Sequence, residues 1–170
     1  MKWYRYYQTD SKSRWVKADC KKPPAGAKFS TILMINKNDK SYYGPLYLDF
    51  DYKPDENETE KEAEKRINAV LDEVRVAINI LCQNYDVDQN DIFLWFTGSA
   101  GFHLLIPPQV FGAEAHAHLP RIYKKLVDKI FPESVFKYID RRVYSEGKGR
   151  MWRIQNIRRD NGLYLSLIHI

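Results

Sequence analysis

Two carboxylates lie one residue apart in the sequence "LYLDFD", which spans residues 46–51. Because side chains alternate between the two faces of a β-strand, Asp49 and Asp51 would share one face with Tyr47, and the apolar residues would point to a core on the other face. Like charges held this close repel each other, and a divalent cation between them would remove the repulsion. The alternative is a solvated strand end that runs into the turn "DYKPDEN", where water screens the charges. The pair therefore indicates either a metal site or an ordinary strand end.

A glycine-rich link joins two apolar stretches in "TGSAGFHLLIP", residues 97–107. Backbone N–H groups that such a turn leaves free, together with the hydroxyls of Thr97 and Ser99, can bind phosphate oxygens. His103 follows the turn and can donate a further hydrogen bond to the same anion. The alternative is an ordinary hairpin with a structural histidine beside it.

A third stretch, "YIDRRVYSEGKGRMWRIQN" at residues 138–156, ends a predicted strand in Asp140 and continues into a basic hairpin with Arg150 and Arg153. A solvated, charged hairpin is the alternative interpretation. Carboxylates are the hard oxygen ligands that Mg²⁺ prefers, and guanidinium groups bind phosphates through paired N–H donors. Together, the three stretches fit phosphoryl or nucleotidyl transfer, in which two metal ions bridge an attacking hydroxyl and a triphosphate.

The residue pattern also predicts the elements that would position these groups. Thr59 and Glu62 form a capping-box pattern, and apolar residues at helical spacing beyond it predict one long helix to about residue 84. A second helix is expected to start near Pro120 and to run to residue 130. Strands are predicted at 29–35, 42–50, 91–97, 102–107, 135–140 and 162–168, with a further candidate at 150–157. The interleaved elements indicate an α/β or α+β fold around a mixed or antiparallel sheet.

The order and spacing of the three stretches resemble the motifs of the archaeo-eukaryotic primase (AEP) superfamily. Its members include replicative primase small subunits, PrimPol-type primase–polymerases and the polymerase domain of bacterial end-joining ligases. "LYLDFD" resembles the first motif of the family, "TGSAGFHLLIP" the second and "YIDRRVYSEGKGRMWRIQN" the third. The third motif is closest to the PrimPol branch, although its "SEGKG" loop looks longer. The resemblance covers residues 46–156.

The resemblance implies a role for each matching position. Asp49, Asp51 and Asp140 would be the catalytic residues that hold two Mg²⁺ or Mn²⁺ ions. The residues that would contact the phosphates of the incoming nucleotide are Thr97, Ser99, His103, Arg150 and Arg153. Which of the two arginines contacts the triphosphate stays open. Tyr47 and Tyr144 are candidates for the sugar pocket.

The resemblance also implies a fold and an activity. The fold would be a single catalytic domain over residues 1–170, with an N-terminal α/β part at about 1–90 packed on an RRM-like part at 91–170. The active-site cleft would lie between these parts. The activity would be that of a DNA primase/polymerase, which adds nucleotides from NTPs or dNTPs to a 3′-hydroxyl on a DNA template and releases pyrophosphate. The chain could be a core excised from a longer replication, plasmid, phage or defence-system protein.

Two other functional classes remain open from the sequence. One is a non-catalytic module of the same fold that binds nucleotides or single-stranded nucleic acid. Three converging acids argue against it, because such a module has no need of them. The other is a metal-dependent nuclease, which fits a phosphate-binding turn and paired arginines less well than a triphosphate-binding enzyme does.

Charge is distributed unevenly along the chain. Residues 1–48 contain 10 basic and 3 acidic side chains, residues 49–91 contain 5 and 13, and residues 92–170 contain 12 and 6. This pattern is typical of a surface that attracts polyanions next to a patch that can hold cations. Basic and aromatic residues that could contact a DNA template or primer, or else cover the core of an N-terminal lobe, are Trp3, Tyr4, Arg5, Tyr6, Arg14, Trp15, Lys21 and Lys22. Lys28 could reach the cleft from just before a strand.

Other patterns exclude several classes of protein. The sequence has no apolar run of about 18 residues and no signal-peptide pattern, so we expect a cytoplasmic protein without a membrane partner. Cys20 and Cys82 are isolated and predict ordinary thiols. No zinc is expected, because the Cys and His ligands of many primases are absent, and His116 and His118 are interpreted as surface residues.

Overall fold

The computed structural model of this chain describes residues 2–53, 55–98, 101–154 and 166–168. The strands of the described chain form two antiparallel sheets. The first sheet contains β1 (Trp3–Gln8), β2 (Val16–Asp19), β3 (Phe29–Thr31), β4 (Met34–Asn36), β5 (Tyr42–Tyr43) and β9 (Met151–Arg153). Its order is β5-β4-β1-β3-β9, and β2 pairs with β1.

The second sheet contains β6 (Leu46–Asp51), β7 (Phe93–Phe96), β8 (Gly101–Ile106) and β10 (Ser166–Ile168). Its order is β10-β7-β8-β6. The edge of β6 that faces away from β8 forms a single antiparallel bridge between Phe50 and Ile139. The chain near Ile139 therefore lies where a further strand would lie.

Two α-helices accompany the sheets in the described chain: α1 (Glu60–Tyr85) and α2 (Leu119–Ile130). The predicted capping box is confirmed, because the hydroxyl of Thr59 accepts from the backbone N–H of Glu62 and the Glu62 carboxylate accepts from that of Thr59. Asp86 ends α1 in the left-handed conformation. Both helices start and end close to the predicted positions.

The two faces of the second sheet are covered differently. α1 packs on β6 and β8 through a row of buried aliphatic residues, and Leu48, Phe50 and Leu104 of the sheet are almost fully buried. On the opposite face Trp152 of β9 packs against β6 and β8. This second face contains the polar residues of interest.

The structure confirms a mixed α+β protein and corrects several predicted strands. The predicted strand 42–50 is divided into β5 and β6, because Pro45 has no N–H to donate to a sheet. The predicted strand 29–35 is divided into β3 and β4. The predicted strand 135–140 is wrong, since this segment turns at 133–135 and only Ile139 is bridged.

Two other predicted strands are only partly visible. The strand at 162–168 is represented by β10, and residues 162–165 lie outside the described residues. The candidate strand at 150–157 contains β9, and residues 155–157 also lie outside them. No helix in the described part of the chain is both long and apolar enough to cross a membrane. The second sheet takes strands from both sides of residue 90, since β6 pairs with β8.

Candidate functional site

Asp49 and Asp51 occupy the C-terminal half of β6, as the sequence predicts. The strand alternates as expected, so both carboxylates lie on the face opposite Leu48 and Phe50. Asp49 is only 8% exposed, whereas Asp51 at the strand end is exposed. Asp49 is therefore a carboxylate that the fold holds within its core.

Asp140 lies beside this pair, on the free edge of β6. Its backbone N–H donates to the carbonyl of Asp49 at 2.8 Å, and the N–H of Asp51 donates to the carbonyl of Tyr138 at 2.8 Å. The sequence places Asp140 about 90 residues after the pair, yet the structure brings all three acids together. The sequence also predicts a strand that carries Asp140, but the structure has only a single bridge there.

Two side chains hold the Asp140 segment in place of a regular strand. The carboxylate of Glu73 on α1 accepts from the backbone N–H groups of Lys137 and Tyr138, each at 2.9 Å. The guanidinium of Arg141 donates to the carboxylate of Asp128 and to the carbonyls of Phe131, Phe136 and Ile139. The position of Asp140 is thus fixed from both helices. Glu73 lies outside the three sequence motifs, and Arg141 lies within the third motif but was not singled out.

The three acids differ in their electrostatics. Burial raises the pKa of Asp49 to about 7, and the nearby charges of Asp51 and Asp140 add to this effect. Burial also raises the pKa of Asp51. The pKa of Asp140 is lowered instead, because its carboxylate accepts two hydrogen bonds from the guanidinium of Arg142, at 2.8 and 3.0 Å. Without a cation, Asp49 is the acid that is hardest to ionise.

His103 lies directly opposite Asp49 in the β6–β8 pair. Its Nε2 is 3.5 Å from Oδ1 of Asp49, and its ring stacks on Trp152 with centroids 3.9 Å apart. Burial lowers the pKa of His103 to about 3, and the charges of Arg153 and Arg150 lower it further. The imidazole is therefore neutral at physiological pH and can present one N–H donor and one acceptor.

Several polar atoms around His103 are buried without a partner among the described residues. They are Nδ1 of His103 and the indole Nε1 atoms of Trp95 and Trp152. Trp95 pairs with His103 on the neighbouring strand. Buried donors and acceptors without partners are rare in proteins, so this face is suited to a polar ligand or ordered water.

The turn between β7 and β8 is closed by Thr97. Its N–H donates to the carbonyl of Gly101, and its hydroxyl accepts from the N–H of Gly101 at 3.2 Å. Gly101 has no room for a side chain, since a Cβ there would lie 1.9 Å from the carbonyl oxygen of Phe50. Ser99, the other hydroxyl that the sequence proposed for phosphate binding, lies outside the described residues.

The two candidate arginines occupy different surroundings. Arg150 is exposed, and its charge lowers the pKa of all three acids. Arg153 lies in β9 over the ring of Phe29, at 5.1 Å from the ring centroid, and its charge acts on His103. The charge of Arg150 therefore acts on the acid cluster, and that of Arg153 acts on the neighbouring His103.

The loop before Arg150 is held at two points. The hydroxyl of Tyr42 accepts from the N–H of Gly147 at 2.6 Å and donates to its carbonyl at 3.2 Å. Glu146 pairs with His118 and Arg121, at 3.0 and 2.9 Å. His118 is exposed, as predicted, but it also helps to anchor this loop.

Both sugar-pocket candidates are buried in an aromatic cluster. The Tyr144 hydroxyl donates to the Tyr47 carbonyl, and the Tyr47 hydroxyl donates to the carbonyl of Val143 at 3.3 Å. The two tyrosine rings stack at 4.9 Å, and Trp152 meets Tyr47 edge-on at 5.6 Å. Trp152 was not singled out from the sequence, although its position in the third motif was a usable signal.

The acid cluster fits a divalent metal by its chemistry, although its side chains are not arranged around one. Among the described residues, no three His, Cys, Asp or Glu side chains are grouped as a ready set of metal ligands. The donors are nevertheless hard carboxylate oxygens, the ligands that Mg²⁺ prefers. The pKa of Asp49 is raised mainly by burial and further by the charges of Asp51 and Asp140, and a bound cation would favour the ionised carboxylate. A metal at Asp140 would have to compete with Arg142.

Comparison of this chain with protein-family models, curated proteins and solved structures finds no match.

Proposed function

We propose that this chain is the catalytic core of a primase–polymerase related to the AEP superfamily. It would be a template-directed nucleotidyltransferase that adds nucleotides from NTPs or dNTPs to a 3′-hydroxyl and releases pyrophosphate. The observation that carries this proposal is the meeting of Asp49, Asp51 and Asp140 at one end of β6. Holding three acids together costs electrostatic free energy, which a bound cation recovers.

The strand order gives further support. The elements from β6 onward follow the sequence β6-α1-β7-β8-α2, and the segment of Ile139 then returns to the free edge of β6. The resulting spatial order is β7-β8-β6 followed by Ile139. This β-α-β-β-α order, completed by the bridged segment at Ile139 where a fourth strand would lie, is compatible with the RRM-like unit that the resemblance implies. The unit would then begin at β6 rather than near residue 91.

Each site residue has a role in this proposal. Asp49, Asp51 and Asp140 would hold two Mg²⁺ or Mn²⁺ ions, and these ions would stabilise the charge of the attacking hydroxyl and the leaving pyrophosphate. Arg150, exposed beside the acids, would bind the triphosphate through its guanidinium. Neutral His103 would donate one N–H to a phosphate oxygen without adding charge, and Thr97 would shape the turn next to it.

A second candidate function is a non-catalytic module that binds nucleotides or single-stranded nucleic acid. The observation that favours it is the pairing of Asp140 with Arg142, which satisfies one of the three acids without a metal. Arg142 is 76% exposed, whereas the side chain of Asp140 is only 13% exposed, so water screens the pair from the arginine side only. A metal ion could therefore displace Arg142, and we favour the enzyme.

Primer extension tests the proposal directly. A labelled DNA primer annealed to a longer template is incubated with dNTPs and either Mn²⁺ or Mg²⁺. We expect the wild-type chain to lengthen the primer with release of pyrophosphate. Asp49→Asn should reduce extension at least 100-fold, because the buried ligand loses its charge. Asp72→Asn, an equal change on the exposed face of α1, is the matched control and should extend normally.

The outcomes separate the candidate functions. Nucleotide binding without extension in either metal would favour the binding module. Shortening of the labelled primer would favour a nuclease. Equal extension by wild type and Asp49→Asn would contradict the assignment of the acids.

A further inference from the structure

Basic side chains outnumber acids in the N-terminal part of the chain, with 10 against 3 in residues 1–48. In the described residues, none of the basic side chains between Lys2 and Lys40 forms an ion pair. Within the described residues, Arg66, Arg75, Arg121, Arg141 and Arg142, all later in the chain, do form ion pairs. The first sheet therefore presents a positive charge that is free to attract a polyanion.

Two aromatic residues and one lysine of this region, together with a lysine from the loop before β9, form a strip of cations and rings. The strip is defined by Tyr6, Trp15, Lys17 and Lys148. The rings of Tyr6 and Trp15 are 6.0 Å apart, and the ammonium of Lys148 lies 5.6 Å from the first and 5.4 Å from the second. The ammonium of Lys17 lies 3.6 Å above Tyr4, which packs edge-on against Tyr6.

The strip leads to the acid cluster. Lys148 lies two residues before Arg150, the exposed residue whose charge reaches Asp49. Tyr42 holds Gly147 next to Lys148, so this part of the loop has a defined position on the first sheet. A chain bound along the strip would therefore end beside the carboxylates.

We propose that the strip of Tyr6, Trp15, Lys17 and Lys148 binds single-stranded nucleic acid and directs it to the acid cluster. Lysine ammonium groups contact phosphates, and partly exposed aromatic rings stack on unpaired bases. A duplex hides its base faces, so the rings favour a single strand. The inference deepens the proposed function and rests on it only for the role of the strand as a template.

The test measures strand binding without catalysis. Fluorescence anisotropy follows a labelled oligothymidylate of about 15 nucleotides in EDTA at several salt concentrations. We expect Trp15→Ala to weaken binding by about 5-fold to 100-fold, because one stacking surface is lost. Lys148→Gln should weaken binding and reduce the slope of log affinity against log salt by about 0.7, the value for one phosphate contact on a single strand.

A matched lysine variant and a second oligonucleotide serve as controls for this test. Lys65→Gln, the same charge change on the exposed side of α1, should leave affinity within about twofold of wild type. Lys148→Gln changes an exposed side chain, so it tests the strip even if Trp15→Ala does not fold. Oligouridylate should bind as oligothymidylate does, because neither stacking nor phosphate contact reads the sugar.

Two results would overturn the inference. One is equal weakening by Lys65→Gln and Lys148→Gln, which would indicate a diffuse charge effect. The other comes from repeating the assay with a duplex of the same length: an equal loss of duplex and single-strand affinity in Trp15→Ala would exclude stacking. If the strip binds single strands as expected but the wild type never extends a primer, the proposed polymerase activity fails while this inference stands.

Discussion

At the scale of single residues, the three acids of the site are not equivalent. Asp49 is buried, faces neutral His103 and has a pKa raised to about 7, whereas Asp140 is paired with Arg142 and its pKa is lowered. Asp49 therefore holds a proton near neutral pH when no cation is bound. This property gives the metal-free protein a measurable signature.

The first prediction concerns stability against pH. The folded protein retains the Asp49 proton up to about pH 7, while the unfolded chain releases it near pH 3.8. The free energy of unfolding therefore loses a contribution as pH rises through this window. Asp49→Asn cannot titrate, so its stability relative to wild type should increase from pH 4 to pH 7 by on the order of 2–3 kcal/mol.

Urea denaturation in EDTA at several pH values measures this difference. Glu73 also has a raised pKa, and it remains in both proteins, so its effect cancels in the comparison. Asp51 interacts with Asp49, so Asp51→Asn and the double variant Asp49→Asn/Asp51→Asn are measured alongside to separate its contribution. Parallel stability curves for wild type and Asp49→Asn would contradict the raised pKa of Asp49.

At the scale of elements, the segment that holds Asp140 occupies the position of a strand beside β6 but is not a strand itself. Glu73 supplies two acceptors for its N–H groups, and Arg141 supplies donors for carbonyls around it. Side chains from both helix regions therefore replace a regular sheet ladder. The position of Asp140 depends on these contacts as much as on its bridge to β6.

The second prediction concerns Glu73. Glu73→Gln replaces one of two carboxylate acceptors by an NH₂ group that faces a backbone N–H, so a hydrogen bond is lost. We expect a loss of about 1–3 kcal/mol in the free energy of unfolding. Mn²⁺ affinity, measured by calorimetry on the folded protein, should also fall, because Asp140 is less firmly held.

Asp72→Asn, one residue earlier on α1, is the control for helix effects, and it should leave Mn²⁺ affinity unchanged. If the wild type binds Mn²⁺ and Glu73→Gln binds it with the same affinity, Glu73 does not support the site.

At the scale of the whole molecule, Trp152 joins the two sheets at the candidate site. It belongs to the first sheet through its pairing with Ser30, and its ring stacks on His103 of the second sheet. It also meets Tyr47 edge-on, and it is 8% exposed. The stability of the molecule and the burial of His103 are therefore linked through one side chain.

The third prediction concerns Trp152. Trp152→Ala should reduce the free energy of unfolding by about 3–5 kcal/mol, as expected when a large buried ring is removed. It should also raise the pKa of His103 toward its ordinary value, because burial is the main cause of the lowered pKa. NMR titration of the imidazole measures this shift.

Trp152→Phe keeps an apolar ring over His103 and should change both quantities less. Loss of stability in Trp152→Ala with an unchanged His103 titration would show that Trp152 does not control the environment of the imidazole.

The sequence by itself determined the local features of the fold. Period-two alternation placed Asp49 and Asp51 on one face, and the cap at Thr59 together with helical spacing located α1. These features depend on hydrogen bonds and side-chain directions within a few residues, so short patterns suffice to predict them. The prediction failed at 135–140, where apolar and β-branched residues indicated a strand that tertiary contacts do not form.

Only the tertiary structure decided the surroundings of the acids. The burial of Asp49, the pairing of Asp140 with Arg142, the support from Glu73 and the stacking of Trp152 on His103 join groups that are distant in sequence or depend on local geometry. Desolvation and charge–charge interactions depend on distances in space, which sequence spacing does not fix. The sequence therefore predicts which chemistry the three acids can perform. Their pKa values and the residues that support them depend on the packing of the folded protein.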